Sequence, residues 1–541
     1  MRTRNQILEE VLEEYINTLD MNNIPTPREI ETQVINNIND AIALENQIRP
    51  KGDKLRKLDV LDHDMIAKLM LATNSIVCVN CGDESNDIDK DMLAIYKAEG
   101  INKGTYRCEF EEFKIIASKY NPRLTKSQLK DVIERLHTIA PRVERCMDRD
   151  LIAVNNGIFN YKTKEMQDFT PDIVFLSKSH VNYNHAAQNI VIHNDEDGTD
   201  WDVESWMQSL SDDPEIVDFI WKVIGAVVRP IVNWNVAALF YSDLGNNGKG
   251  TLCELMRGIV GKSSCASLPL NSFSKDFALE PLVRATAIIT DENDVGGYID
   301  KAGTIKSVIT HDIIHLNLKY QAPVSFRALS FMVQCVNELP RSLDRTSSWY
   351  RRYVVVPFTK CFTGVERKYI KSDYLHRTEV LEYCLYKVLN MNYYELKEPK
   401  GCKEALEAYK TYNEPVRQFW LELRDQFTWK LLPYTFMYEL YKCWYQRNNP
   451  SGRPEGRNTF IKELQNVVYG DEDWEAMSTD ERERSDGRMF GPELLIAEYN
   501  VVEWKNQDYS GGSLDKVCRP RLAESYAGLL RVNEKDSETN E

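Results

Sequence analysis

The sequence lacks a long apolar run and a regular cysteine framework. No stretch reaches the roughly 18 consecutive apolar residues of a transmembrane helix, so no membrane partner is expected. Its twelve cysteines are neither dense nor regularly spaced over 541 residues, which is typical of reduced thiols inside a cell. The charged segment Met1–Gln6 has no apolar core and does not resemble a signal peptide. We therefore predict a cytoplasmic protein.

An excess of basic residues is also missing. The net charge is -16 and the pI is about 5.2, whereas a protein that coats DNA along one face is usually basic. The acidic balance argues against non-specific coating of DNA and against binding to an anionic membrane surface. Any contact with nucleic acid must therefore come from a local basic patch or from a pore.

The middle of the chain has the pattern of an α/β sheet, because apolar strand candidates follow one another with helical stretches between the earlier ones. Upstream, apolar residues at helical spacing predict helices in residues 1–70, and residues 71–200 mix strands and helices. The pair Asn156–Gly157 is typical of a tight hairpin turn. Helices are predicted over 201–230, over 361–410 and within 414–500. The strand candidates of the sheet are Val236–Tyr241, Ala285–Thr290, Leu329–Val336 and Tyr353–Phe358.

A glycine-rich segment, Asp243–Thr251, lies between the first of these strands and a helix candidate that runs to Val260. This is the setting of a phosphate-binding loop, in which glycines let backbone N–H groups close around anionic oxygens. The helix N-terminus adds partial positive charge, and Lys249 would reach the β- and γ-phosphates. The predicted nucleotide-binding residues are Gly245, Asn246, Asn247, Gly248, Lys249, Gly250 and Thr251.

The loop departs from the general G-x-x-x-x-G-K-[ST] pattern at two positions. Asp243 stands where the first glycine is usual, and Gly250 stands where a hydroxyl residue normally follows the lysine. The hydroxyl is displaced by one residue, to Thr251, which is the predicted Mg²⁺ ligand from the loop. The alternative is a glycine-rich turn with a surface lysine.

Two further strand candidates end in polar residues that suit phosphate chemistry. Asp291 and Glu292 follow one strand; Asp291 is assigned to Mg²⁺ and Glu292 to the attacking water, or the reverse. Asn337 follows the next strand and can hydrogen-bond the γ-phosphate or the water. The alternatives are a solvated acidic turn for the acids and a turn-capping asparagine before Pro340.

Two adjacent arginines, Arg351 and Arg352, precede the last strand candidate. One of them can serve as an arginine finger at the γ-phosphate of a neighbouring subunit. The alternative is an arginine pair at a helix end that binds surface carboxylates. The predicted catalytic residues are Lys249, Asp291, Glu292, Asn337, Arg351 and Arg352, and the predicted metal ligands are Thr251 and Asp291.

The order of these motifs resembles that of superfamily 3 helicases. It is most similar to the helicase part of phage and plasmid primase-helicases, which are related to the poxvirus primase-helicase. The segments Ile152–Lys164 and Phe169–Phe175 also look like the domain that precedes that motor. The resemblance covers roughly residues 75–500.

The resemblance implies an AAA+-type P-loop ATPase core that assembles into a hexameric ring, with ATP and Mg²⁺ at subunit interfaces. It also implies a hairpin that grips single-stranded or forked DNA in the pore. That hairpin matches Leu316–Phe326, with Lys319 for a phosphate and Tyr320 for a base or sugar. An ordinary exposed turn is the alternative. A separate primase, initiator or polymerase is an expected partner, and the compartment is the host cytoplasm if the protein is phage-encoded.

The predicted function is an ATP-dependent replicative DNA helicase of a phage or mobile element. The alternatives are an origin-binding initiator or loader without processive unwinding, and a non-catalytic assembly protein with a degenerate loop. The fold class is α/β, with a helical and α+β N-terminal region before the core and a C-terminal winged-helix domain. The predicted divisions are a helical module (1–70), an α+β domain (71–200), a collar (201–235), the AAA+ core (236–360), a helical lid (361–413), a winged-helix-like domain (414–520) and a polar tail (521–541).

Overall fold

The computed structural model describes residues 1–21, 23–82, 91–275, 277–293, 299, 302–317, 324–340, 342, 346–450 and 452–532. Its chain divides into two units, Met1–Ala405 and Leu406–Glu541. Across the described ranges, no helix combines the length and the apolar character that a membrane span requires.

The N-terminal helices share one apolar core with a mixed sheet of order β3-β2-β1-β4. Capping boxes define where three helices begin: the side chains of Thr3, Thr26 and Thr125 each accept a hydrogen bond from the backbone N–H three residues on. The side chain of that later residue accepts in turn from the backbone N–H of the threonine. The core runs from Ile7 to Leu136, so the predicted helical module packs directly on the residues that follow it. The elements are α1 Arg4–Asn17, α2 Pro27–Gln47, α3 His63–Thr73, β1 Ile76–Asn80, β2 Met92–Tyr96, β3 Tyr106–Arg107, α4 Phe110–Tyr120, α5 Lys126–Ile139 and β4 Arg142–Glu144.

A tight hairpin is present, but its turn is Asn155–Asn156, one residue before the predicted Asn156–Gly157, because Val154 pairs with Gly157. The helix predicted over 201–230 is two helices, since Asp213 caps a new helix that has Pro214 in its first turn. The elements of this region are β5 Leu151–Val154, β6 Gly157–Asn160, β7 Glu165–Gln167, β8 Ile192–Asn194, β9 Thr199–Trp201, α6 Val203–Ser209 and α7 Pro214–Val228.

A parallel sheet of order β11-β12-β15-β10-β16 forms the centre of the first unit. It confirms the α/β prediction and the four predicted strands; β11 was missed because two residues give no apolar run. Its elements are β10 Ala237–Tyr241, α8 Lys249–Val260, β11 Cys265–Ala266, β12 Ala287–Thr290, α9 Ala302–Ile309, β13 Ile313–Leu316, β14 Val324–Arg327, β15 Phe331–Val336, α10 Ser347–Tyr350 and β16 Tyr353–Pro357. The predicted helical stretch after the sheet contains α11 Lys368–Ser372, α12 Thr378–Asn390 and α13 Lys400–Asn413.

The second unit is built on an aromatic core that includes Phe419, Trp420, Trp429 and Trp444. The helices predicted within 414–500 are confirmed, and an antiparallel sheet of order β17-β21-β18 accompanies them. The winged-helix assignment stays a prediction. The elements are α14 Pro415–Leu423, β17 Leu431–Pro433, α15 Tyr434–Asn448, α16 Arg457–Val468, β18 Trp474–Ala476, β19 Glu483–Arg484, α17 Leu495–Glu498, α18 Leu514–Val517, β20 Ser525–Tyr526 and β21 Gly528–Arg531.

The end of α8 is fixed by Gly261, which has a φ of +87°. A Cβ added there would lie 2.4 Å from the His180 ring. We expect Gly261→Ala to lower stability by about 2–3 kcal/mol, from the left-handed backbone and the clash together. The control is Gly303→Ala in α9, where an added Cβ has nothing within 4 Å and should be neutral or stabilising. Thermal unfolding of both variants is the measurement; equal melting temperatures would contradict the prediction.

Candidate nucleotide-binding site

The carboxyl ends of β10, β15 and β12 are neighbours at one edge of the parallel sheet. The glycine-rich loop follows β10, Asn337 follows β15 and Asp291 follows β12. Ligands of open α/β sheets bind in the crevice outside such strand ends. The sheet therefore brings three predicted motifs, which are far apart in sequence, to one edge.

The loop itself is shaped by left-handed residues and by side chains that bond to its backbone. Asn246 and Gly248 have φ values of +49° and +86°. The Asn247 side chain accepts from Lys249 N at 3.2 Å and donates to Leu244 O at 2.5 Å. A Cβ added at Gly248 would lie 2.7 Å from Leu210 Cδ2, and the positive φ would strain any larger residue there. The backbone thus turns sharply just where α8 begins.

Lys249 reaches across this edge of the sheet. Its Nζ donates to Ser242 O at 3.3 Å, to Val336 O at 3.1 Å and to Asn337 Oδ1 at 2.9 Å. The residue is 5% exposed, and burial lowers the pKa of its ammonium. The predicted loop lysine and the predicted polar residue after β15 are therefore in direct contact, and the surface-lysine alternative does not describe this side chain.

Asp291 is held by an arginine that the sequence analysis missed. Arg257, on α8, donates from Nη1 to Asp291 Oδ2 at 2.9 Å and from Nη2 to Oδ1 at 2.5 Å. Burial acts to lower the pKa of Arg257, but hydrogen bonds to Asp291 outweigh it and raise the pKa. The signal was present in the spacing, since Arg257 lies eight residues after Lys249 and on the same helix face.

Thr251 and Asp291 lie on different sides of α8. Cys253 Sγ approaches Cys335 Sγ of β15 at 3.3 Å, so the face that carries Lys249, Cys253 and Arg257 is turned to the sheet. The helical repeat places Thr251 about 200° from Lys249 around the axis. Mg²⁺ needs oxygen ligands around one point. The structure does not bring the two predicted ligands together, and Arg257 binds both oxygens of Asp291, so this pair does not fit the ion as arranged.

The other predicted catalytic residues are placed as follows. Glu292 is exposed beside Asp291. Arg352 precedes β16, and its carbonyl accepts from Ala237 N at 2.8 Å, at the start of β10. Arg351 and Arg352 thus lie at the amino edge of the sheet, whereas the loop lies at its carboxyl edge. The five residues of β10 separate the two edges by about 16 Å, at about 3.3 Å per strand residue.

The predicted DNA-binding hairpin has its two arms in the structure. β13 pairs antiparallel with β14, from Ile313 opposite Arg327 to Leu316 opposite Val324. At its base, Arg327 N donates to Cys81 O at 2.8 Å. Lys319 and Tyr320 lie outside the described residues, so their predicted role stays a prediction.

Two amide side chains between β12 and β15, those of Asn293 and the buried Gln334, were also missed. Asn293 Nδ2 donates to Gln334 Oε1 at 3.0 Å and to Cys335 O at 3.0 Å. Gln334 is fully buried, and its Nε2 donates to Leu268 O at 3.1 Å. A glutamine within an otherwise apolar strand was the available signal. This pair fixes the backbone directly after Glu292.

A cleft of about 730 Å³ opens beside the loop. Its walls come from α6 and the residues before it, from the start of α8, and from the segment between β16 and the end of α11. The volume lies within the usual range of small-molecule sites. Residues that line it include Trp201, Trp206, Asn246, Gly248, Thr251, Phe362, Arg367, Lys368 and Lys371.

Three family models match the chain. Residues 30–214 match the model described as D5 N terminal like, and residues 411–504 match the one described as Poxvirus D5 protein-like. Residues 240–352, which include the loop, Asp291 and Asn337, match a family of unknown function, DUF5906. Over residues 30–214 and 411–504 the chain is similar to D5 proteins. The matches support the D5-like primase-helicase family that the motifs indicated, whereas the superfamily 3 and AAA+ assignments stay predictions.

Comparison of the D5-like chain with solved structures finds the apo NrS-1 C-terminal region. One such structure shares 12% identity with a TM-score of 0.40, and covers 76% of this chain and 87% of that one. Another shares 13% identity with a TM-score of 0.40, and covers 76% and 90%. These likenesses are distant, and no residue role is taken from them. No curated protein matches the chain.

Proposed function

We propose that this D5-like chain is an ATP-driven replicative DNA helicase of a phage or mobile element. In this proposal it forms a hexameric ring that moves along single-stranded DNA. The observation that carries the proposal is the position of Lys249, whose ammonium is bound to Asn337 and to the ends of β10 and β15. A lysine held between two strand ends, after a glycine turn and at a helix N-terminus, is suited to the β- and γ-phosphates of ATP.

Asn337 and Glu292 have the proposed roles of sensing the γ-phosphate and orienting the attacking water. Support comes from the 2.9 Å contact between Asn337 and Lys249, which links the first residue to the phosphate loop. Glu292 is exposed at the neighbouring strand end. The amide of Asn337 is already held at this edge by Lys249, and preorganised groups of this kind stabilise developing charge without large rearrangement.

The arginine finger is proposed to act between subunits. Arg351 and Arg352 follow α10 and precede β16, at the sheet edge opposite the loop. At about 16 Å, neither can reach the phosphates bound to its own chain. A neighbouring subunit in a ring can present its loop to them, which is why the ring is part of the proposal. Mg²⁺ is proposed to arrive with ATP, and no step is assigned to Thr251 and Asp291 as a ligand pair.

The test measures ATP hydrolysis with and without single-stranded DNA, together with unwinding of a forked duplex. We expect DNA to stimulate hydrolysis and the fork to be opened only with ATP. Lys249→Ala is the control, and undiminished activity in it would refute the site. Binding to a single origin fragment with little fork unwinding would instead select the initiator or loader. Absence of ATP binding by the wild-type protein would select the non-catalytic assembly protein.

A further inference from the structure

The cleft beside the loop carries cations that have no internal partner. Lys368 and Lys371 both line it, and the structure gives neither ammonium a hydrogen bond or ion pair among the described residues. Both are exposed, whereas the intervening Tyr369 and Ile370 anchor α11. Tyr369 donates to Asp197 at 2.6 Å, and Ile370 is 8% exposed within the core. The two lysines are therefore held at the cleft by the rest of their helix.

The acids that line the same cleft are already engaged. Asp202 accepts from Ser205 N at 3.0 Å, as the cap of α6, and Asp200 bonds to His193 at 2.7 Å. Glu366 accepts from Asn246 Nδ2 at 2.9 Å. The acidic side chains thus have local partners, while the lysine ammonium groups remain available to an anionic ligand.

Lys371 lies where the loop departs from the usual pattern. A Cβ built on Gly250 would be 3.5 Å from Lys371 Nζ. Gly250 is the position at which a phosphate-binding loop normally carries a hydroxyl group. The Lys371 ammonium group therefore lies beside the position where the loop usually carries a hydroxyl. This position is at the amino end of α8, where anionic oxygens are favoured.

Part of the cleft lining is aromatic. Trp206 and Trp201 have ring centroids 6.4 Å apart, and Phe362 also lines the cleft. Trp201 is 5% exposed, and in the described structure its indole N–H is buried without a hydrogen-bond partner. Buried donors normally have a partner, so a ligand acceptor is a reasonable complement. Flat rings with one open donor suit a nucleobase.

We propose that a nucleoside triphosphate binds along this cleft, with its base against Trp206 and its phosphates between Lys249 and Lys371. Lys371 is then a second phosphate-binding cation, supplied by α11 in place of the hydroxyl that Gly250 lacks. This inference rests on the proposed ATP site, and it adds the base pocket and the second cation. In this arrangement α11 lines the nucleotide site.

The test titrates the full-length chain with ATP and with inorganic tripolyphosphate in a calorimeter. Lys371→Met should weaken both ligands about tenfold, the loss expected for one charge-assisted hydrogen bond. Trp206→Ala should weaken ATP to a similar degree and leave tripolyphosphate unchanged, because only ATP has a base to stack. Trp206→Phe, which keeps a ring, should bind ATP nearly as the wild type does.

The matched control is Lys262→Met, which removes the same charge just past the other end of α8 and should change neither titration. If Lys371→Met binds both ligands as the wild type does while Lys249→Ala loses binding, Lys371 is not a phosphate-binding residue. The proposed ATP site at Lys249 would still stand. Equal losses of tripolyphosphate and ATP in Trp206→Ala would overturn the base pocket. A wild-type chain that binds no ATP would instead refute the proposed function.

Discussion

Replacing Lys249 with methionine is expected to abolish ATP hydrolysis while the fold remains. Methionine has nearly the same length and can fill the same narrow path between β10 and β15, but it carries no charge. We expect hydrolysis to fall by about three orders of magnitude, at the upper end of what removal of one preorganised donor causes. The lysine ammonium is costly to bury, and burial already lowers its pKa, so its loss should not cost the protein much stability.

Steady-state hydrolysis and thermal unfolding of Lys249→Met are the two measurements. Asn337→Ala is the graded comparison, because Lys249 then keeps Ser242 O and Val336 O as acceptors. Its activity should lie between that of the wild type and that of Lys249→Met. Hydrolysis at the wild-type rate by Lys249→Met would mean that another lysine serves the phosphates, and would remove the basis of the proposal.

The strand ends were predictable because apolar runs and polar endings are local signals. Leu329–Val336 is apolar enough to identify β15, and its end marks Asn337 as a residue at the carboxyl edge. The order of the strands in the sheet decides which strand ends are neighbours. The local sequence pattern does not determine that order. The sequence motifs therefore identified the candidate residues, while the contact between Lys249 and Asn337 follows from the pairing of β10 with β15.

The missed residues act across elements that are distant in sequence. Arg257 can bind Asp291 only because α8 packs against the end of β12. Lys371 can reach the loop only because α11 lies beside Gly250. Neither arginine nor lysine on a helix surface is unusual, so composition gives no reason to select them. The sequence could not tell whether Thr251 and Asp291 lie on one side of α8, because the rotation of the helix relative to the sheet decides which face meets the acid.

The Arg257–Asp291 pair gives the second large expected effect. The side chains are 18% and 33% exposed, and the arginine makes two hydrogen bonds to the carboxylate. Arg257→Met would leave a half-buried carboxylate without its cation. At this exposure we expect the free energy of unfolding to fall by about 1–3 kcal/mol, which is less than the cost of breaking a fully buried pair. Thermal unfolding should show a clear decrease in melting temperature.

A double-mutant cycle separates the contribution of this pair to stability from its contribution to hydrolysis. Asp291→Asn in the Arg257→Met background removes the stranded charge, so most of the lost stability should return, with a coupling of about 1–3 kcal/mol. Hydrolysis should not return, because the sequence predicts Asp291 as a Mg²⁺ ligand and asparagine lacks its charge. Lys114→Met, which breaks the exposed pair with Glu111, is the control and should shift stability by less than about 0.5 kcal/mol. Recovery of hydrolysis together with stability in the double variant would show that Asp291 is only an anchor for α8, and would leave Glu292 as the acid that serves the nucleotide.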